Sequence, residues 1–408
     1  MLHRRQRVAG RDASRCGRNL GRFAFRGFAL IARSSSQRVG RPRRALGKVS
    51  RVVVKVGSAV IAGNGRLRPR IIARIAHDVA VLRAQGCEVV MVVSGAVAAG
   101  YRALGLSQPP EATVPRQAAA SVGQHRLMSH FARAFRSHDA HVAQILLSAD
   151  DLENRRRFLS ARHTMHLLIE SGVVPIINEN DALSDDEIKV GDNDTLAAMV
   201  TSVATADLLV ILSCVPGVLD KGSGRVIERV EVGSSIDDHI RRDTSATGVG
   251  GMGAKVAAAR LASHWSVPTI IADGVAAGAL PRIVAGEPLG TMFVPRDRKL
   301  PSRKRWIAVC SKSRGRVRVD SGARRAIESG GASLLPAGVV AVEGEFAKGA
   351  RVDLFDGDAP QPFAVGIVSY AADEIRRIQG RRPGEIRAAL GYVYVDEVIH
   401  RDDLVLLD

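Results

Sequence analysis

The chain has 408 residues, 46% of them apolar, which is the composition of a water-soluble globular protein with room for two domains. Its formal charge of +18 suggests a nucleic-acid binder until the charge is located: residues 1–48 hold 14 Lys+Arg and one acid, so +13 lies there and +5 on the rest. A run of 18 apolar residues is absent, because Arg22 and Arg26 interrupt the best stretch, and no membrane span is expected. The cysteines Cys16, Cys87, Cys214 and Cys310 are too scattered for a disulfide framework or a zinc site, which fits a reducing cytoplasm.

Residues 1–48 are rich in Arg, Gly and Ser and lack helical or strand periodicity, so they read as a disordered basic extension. The segment reads first as a dispensable extension or an over-long start; Arg-rich and nearly acid-free, it also has the composition of an organelle transit peptide, and a nucleic-acid arm is the third alternative.

Regular patterning begins at Arg51. Arg51 to Val56 is a short β-branched run, and Pro69 to Gln85 places Ile72, Ile75, Ala76, Val79 and Leu82 on one helical face between Pro69 and Gly86. A second apolar run, Glu88 to Val93, completes a β-α-β unit. Further strands are expected at His141 to Leu147, Val173 to Ile177, Asp207 to Leu212 and Thr269 to Ala272, with helices at Asp151 to Glu170 and Ala254 to His264. Apolar strands joined by helical crossovers predict an α/β domain over 49–295, with a mostly parallel sheet covered on both faces. Arg296, Arg298, Lys299, Pro301, Arg303 and Lys304 read as a basic linker. Short strands at Arg316 to Val319, Val339 to Val342, Arg351 to Leu354 and Phe363 to Ser369, with a helix near Ala323 to Ser329, then predict a small β-rich domain over 303–408.

Four places could carry chemistry. Lys55, near the end of the first strand and followed by Gly57, can project a cation and backbone N–H groups into the crevice where α/β sheets bind ligands; its bland reading is a strand-end lysine reaching solvent. Ser94-Gly95-Ala96 repeats the arrangement one unit later. Asn178-Glu179-Asn180-Asp181 ends one strand, and Gly191-Asp192-Asn193-Asp194 opens a helix. A helix cap explains one of those eight residues, whereas amides and carboxylates at a strand end and a helix start can grip an amino acid and hold lysines or magnesium. Gly248 to Lys255 matches the dinucleotide fingerprint only where no strand precedes it, and it misses the P-loop spacing by one residue. It reads instead as a flexible glycine loop that delivers Lys255 to phosphates.

In order and at compatible spacing, Val54-Lys55-Val56-Gly57-Ser58, Val93-Ser94-Gly95-Ala96, Ile177-Asn178-Glu179-Asn180-Asp181, Lys189-Val190-Gly191-Asp192-Asn193-Asp194 and Gly250-Gly251-Met252-Gly253-Ala254-Lys255 resemble the amino-acid kinase superfamily, and within it the glutamate 5-kinase family. The C-terminal part resembles a PUA domain through Lys304-Arg305-Trp306-Ile307, Ser333 to Gly338 and Val398 to Asp403. The resemblance implies a three-layer α/β/α sandwich and ATP-dependent phosphorylation of the glutamate side-chain carboxylate with Mg²⁺, the first step of proline synthesis. It implies a homo-oligomer and a reductase that takes the labile product. Lys55, Asp194 and Lys255 are then catalytic, and Ser94, Asp181, Asp192 and Asn193 bind L-glutamate. Lys55, Gly57, Ser213, Cys214, Val249, Gly250, Gly251, Met252, Gly253, Ala254 and Lys255 bind ATP, and no metal-ligating side chain is nominated.

Two points qualify the likeness. Where the family places Thr-Asp or Ser-Asp, this chain has Ser213-Cys214, and a thiol is a poor substitute for a carboxylate acceptor, so altered nucleotide contact is expected. Residues 300–408 hold 17 Lys+Arg against 15 Asp+Glu, a balance that does not support RNA binding by the PUA domain. A sister kinase acting on acetylglutamate, aspartate, carbamate or a nucleotide, and a non-catalytic RNA-binding protein, are the alternatives.

Overall fold

The structure, a computed structural model, describes residues 46–183, 192–231, 234, 236, 251–295, 302–309 and 313–407. In chain order the first domain contains β1 (Arg51–Val56), α1 (Ser58–Ile61), the hairpin β2 (Ala62–Gly63) and β3 (Arg66–Leu67), α2 (Pro69–Ala84), β4 (Glu88–Val93), α3 (Ala96–Gly100) and α4 (Thr113–Arg136). There follow β5 (Val142–Leu147), α5 (Ala149–Glu153), α6 (Arg155–Glu170), β6 (Val174–Glu179), α7 (Asp192–Ala204), β7 (Leu208–Ser213), β8 (Arg229–Val230), α8 (Met252–His264), β9 (Thr269–Asp273), α9 (Ala279–Val284) and β10 (Thr291–Phe293).

Eight of these strands form one sheet in the order β5-β6-β4-β1-β7-β9-β10-β8. β1 lies parallel between β4 and β7, with Lys55 opposite Val92 and Ile211. Only the β9–β10 pairing is antiparallel among these strands. Alternation along β1 divides the core: Val52, Val54 and Val56 join the cluster containing α2 and α4, while Val53 joins the cluster beneath α7 and α8. Lys55 shares the parity of Val53 and so faces α7 and α8. That one-residue phase carries a cation to the α7–α8 side of the sheet.

Local chemistry explains where helices start and stop. α2 begins with Pro69 at a position that needs no N–H donor, and its buried face is Ile72, Ile75, Ala76, Val79 and Leu82, as the periodicity predicts. The single helix expected from Asp151 to Glu170 is two. Ser148 and Asp151 form a capping box on α5, and the Asn154 side chain accepts from the N–H groups of Arg156 and Arg157 to start α6.

The 24-residue α4 is absent from the expected elements, although Leu127, Phe131 and Phe135 recur every four residues on its buried face. α4 crosses α3 at backbone contact. A Cβ on Gly100 would lie 1.9 Å from the Ala119 carbonyl oxygen, and one on Gly123 would lie 1.8 Å from that of Ala96. Only glycine fits at either position.

The second domain holds β11 (Ser313–Val319), α11 (Ser321–Gly330), β12 (Val339–Glu343), β13 (Arg351–Asp356), β14 (Ala364–Ile367), α12 (Ala372–Ile378) and β15 (Leu404–Leu406), with sheet order β12-β11-β13-β14-β15. The basic linker needs correction: Ser302–Val309 is a helix, α10, with Trp306 and Ile307 buried, while residues 296–301 lie outside the described ones. The Trp306 indole donates to the Leu152 carbonyl at 3.0 Å, and Arg155 lies over both the Trp306 and Phe158 rings. α10 thus packs on the first domain as well as on β14 and β15. Among the described residues, no helix is long and apolar enough to cross a membrane.

Candidate active site

The carboxyl ends of the central strands gather the charged residues singled out by the sequence. Lys55, the fifth residue of β1, is 4% exposed; Asp194, in the first turn of α7, is 1% exposed; Lys255, in the first turn of α8, is 8% exposed. Lys55 Nζ stands 2.6 Å from Asp194 Oδ1, and Lys255 Nζ stands 3.2 Å from Asp194 Oδ2. One carboxylate therefore divides its two oxygens between two ammonium groups. The N-terminal end of α7 favours a negative charge at that position.

The trio lies in a region shielded from water, where charges are costly unless paired, and the one Asp194 carboxylate reaches both ammonium groups. Desolvation lowers the Lys55 pKa below its ordinary value, the charge of Lys255 acts in the same direction, and Asp194 opposes both.

Around this trio the backbone is held tightly. The Gly57 N–H donates to the Leu212 carbonyl at 3.2 Å, and the Ser94 N–H donates to that of Val56 at 3.1 Å, so the loops after β1 and β4 are tied to neighbouring strand ends. Gly95 has φ +107°, a conformation that a residue with a side chain rarely adopts. Ser94 and Asp181 are half-buried near the ends of β4 and β6. Asn193, beside Asp194, is half-buried, and its Oδ1 is out of water without a hydrogen-bond partner among the described residues. Asp192 opens α7, but its side chain lies outside the described ones, as does Gly191 altogether.

On the other flank, Ser213 is buried at the end of β7, and its carbonyl accepts from the Gly274 N–H at 2.8 Å. Cys214 is exposed; desolvation is the largest cause raising its thiol pKa, so it presents a neutral S–H at pH 7. The glycine loop also needs correction. Gly251 precedes α8, and Met252, Gly253, Ala254 and Lys255 form its first turn, so Lys255 is delivered by a helix rather than by a loop. Val249 and Gly250 lie outside the described residues. A Cβ on Gly253 would meet nothing within 4 Å, so internal packing does not demand glycine there.

Gln124 of α4 was not among the sequence candidates. Its Oε1 accepts from Asn178 Nδ2 at 2.7 Å, which ties α4 to the end of β6. The four-residue spacing of Leu127, Phe131 and Phe135 would have revealed the helix, but not this contact.

Comparison with known proteins agrees with the geometry. The amino acid kinase family model matches residues 50–273 and the PUA domain model matches residues 315–390, so fold and site define an amino acid kinase with a PUA domain attached. The glutamate 5-kinase of Syntrophotalea carbinolica is 48% identical over 371 residues, covering 88% of this chain and 98% of that protein. That of Geobacter metallireducens is 48% identical over 370 residues, covering 89% and 99%, and that of Pelobacter propionicus 45% over 376, covering 88% and 98%. The chain belongs to the glutamate 5-kinase family.

Proposed function

We propose that this chain transfers the γ-phosphoryl group of ATP to the side-chain carboxylate of L-glutamate, giving L-glutamyl 5-phosphate. The observation that carries the reading is the buried Lys55–Asp194–Lys255 trio, in which one carboxylate reaches two ammonium groups at the sheet end where ligands of α/β proteins bind. A glutamate carboxylate, with pKa ~4.3, is already ionised at pH 7, so its attack on phosphorus requires no general base. Catalysis is then a matter of position and charge: Lys55 and Lys255 face the phosphoryl oxygens, and Asp194 keeps the two ammonium groups apart and aimed. Ser94, Asp181, Asp192 and Asn193 hold the amino acid, and Asn193 is supported by a buried oxygen that has no hydrogen-bond partner among the described residues. Gly57, Ser213, Cys214 and residues 249–255 border the nucleotide.

Mg²⁺ is expected with the nucleotide. Among the described residues no three His, Cys, Asp or Glu side chains converge on a point, and both Asp194 oxygens face lysines. These residues do not form a metal cage, and a magnesium ion here would be held mainly by the phosphates that bring it. The acyl phosphate product is labile, and the proposed next step is its reduction.

Incubation of the purified chain with ATP, Mg²⁺ and glutamate in the presence of hydroxylamine tests the reading, because hydroxylamine converts an acyl phosphate to a hydroxamate. Glutamate-dependent hydroxamate is the expected result, and its absence would sink the proposal.

A further inference from the structure

We propose that Gln124 is a substrate-positioning residue: its carboxamide N–H₂ donates to the α-carboxylate of the amino acid, at the end of the substrate remote from the lysines. This rests on the glutamate kinase reading above, and it adds a residue that no motif in the sequence carries.

The orientation of Gln124 follows from a chain of hydrogen bonds. The Glu179 backbone N–H can only donate, and it donates to Asn178 Oδ1 at 2.9 Å. Asn178, 1% exposed, must then turn its Nδ2 the other way, where it meets Gln124 at 2.7 Å. Gln124 has to present oxygen to that donor, so its own N–H₂ is directed elsewhere. That nitrogen is out of water and has no hydrogen-bond partner among the described residues. A buried donor left unmade is destabilising, and few native donors remain so.

Placement supplies the ligand's identity. Gly123 brings the α4 backbone against the Ala96 carbonyl, so the next residue stands beside the Ser94–Ala96 turn while its side chain reaches β6. In the sheet order β6-β4-β1, Asn178 lies two strands from Lys55, roughly 10 Å at the usual strand spacing. The transferring phosphoryl group and the carboxylate that attacks it belong at Lys55, Asp194 and Lys255. A donor two strands away meets the other end of the same molecule. There the Gln124 N–H₂, a donor without a hydrogen-bond partner among the described residues, suits the α-carboxylate.

Gln124→Glu separates this role from a structural one, because the new side chain still offers an oxygen to Asn178 but replaces the donor with an acceptor. The KM for glutamate should rise about 10- to 100-fold, as expected for losing a hydrogen bond to a charged group, while the KM for ATP stays within about twofold of the parent. With 4-aminobutanoate, which keeps the reacting carboxylate and lacks the α-carboxylate, the variant and the parent should have equal kcat/KM. A second readout avoids turnover: ATP should still raise the melting temperature of the variant, and glutamate should no longer do so. An unchanged KM for glutamate, or an equal penalty on both acceptor molecules, overturns the assignment while leaving the kinase reading intact. A parent enzyme that makes no hydroxamate overturns the kinase reading itself.

Discussion

In the first domain Lys55, Asp194 and Lys255 are withdrawn from water at the ends of parallel strands, and each lysine has the same carboxylate within reach. In the second domain Arg318 pairs with Glu343, Arg324 with Asp356 and Arg376 with Glu345, all at the surface and each acid with a nearby arginine. The first arrangement joins two ammonium groups through one carboxylate and is dry; the second is built of exposed pairs and is wet. Exposed pairs contribute little to stability and are screened by salt, so they help to keep a β-rich surface soluble. A dry charged set carries a desolvation cost, and buried charges gathered in a crevice mark a candidate functional site. The contrast marks the first domain as the candidate place for chemistry without reference to any motif.

The largest expected effect comes from breaking the dry set. Asp194→Asn should lower kcat/KM in the hydroxamate assay by about 10²- to 10³-fold, the scale for losing one preorganised electrostatic partner. A loss under threefold would show that the trio is only structural.

The second prediction sharpens the same point through pH. Since Lys55 titrates below 10.5, kcat/KM should fall about tenfold per pH unit once pH rises through that lowered value. The sign for stability is opposite. Between the lowered folded value and 10.5 the unfolded chain retains the Lys55 proton and the folded one does not, so this group's contribution to stability rises with pH in that window. Parallel pH profiles of rate and of urea midpoint would show the divergence. A rate that stays flat up to pH 10.5 would contradict the burial argument.

Cys214 gives a smaller effect, on the nucleotide flank. If the neutral thiol is a poor stand-in for a carboxylate acceptor, Cys214→Asp should change the KM for ATP several-fold and leave that for glutamate alone. Equal ATP constants for the two proteins would rule this out. The smallest effect belongs to the wet domain: Arg376→Ala, which removes an exposed partner of Glu345, should leave kcat unchanged and shift Tm by no more than about 2 °C in a thermal melt.

Much of the architecture was legible because local patterns fix it. Val52 to Val56 could only be a buried strand, the face of α2 emerges residue for residue, and the apolar runs at β4, β6, β7 and β9 alternate with helices as a parallel sheet requires. Lys55, Asp194 and Lys255 were likewise nominated from motif and resemblance. The misses share a cause. The α5–α6 break depends on side-chain caps that interrupt an otherwise continuous helical period. The charges of the supposed linker concealed α10, whose burial is decided by Leu152 and Phe158 of the other domain.

Composition, period and motif therefore determined the class of fold and which residues carry charge into the crevice, since those follow from interactions between neighbours in sequence. Tertiary structure alone decided that one carboxylate serves both lysines and that Gln124 is locked to Asn178. It also decided that Gly100 and Gly123 let two helices touch. Each of these couples segments far apart in the chain, and their geometry exists only once the sheet has brought the strand ends together.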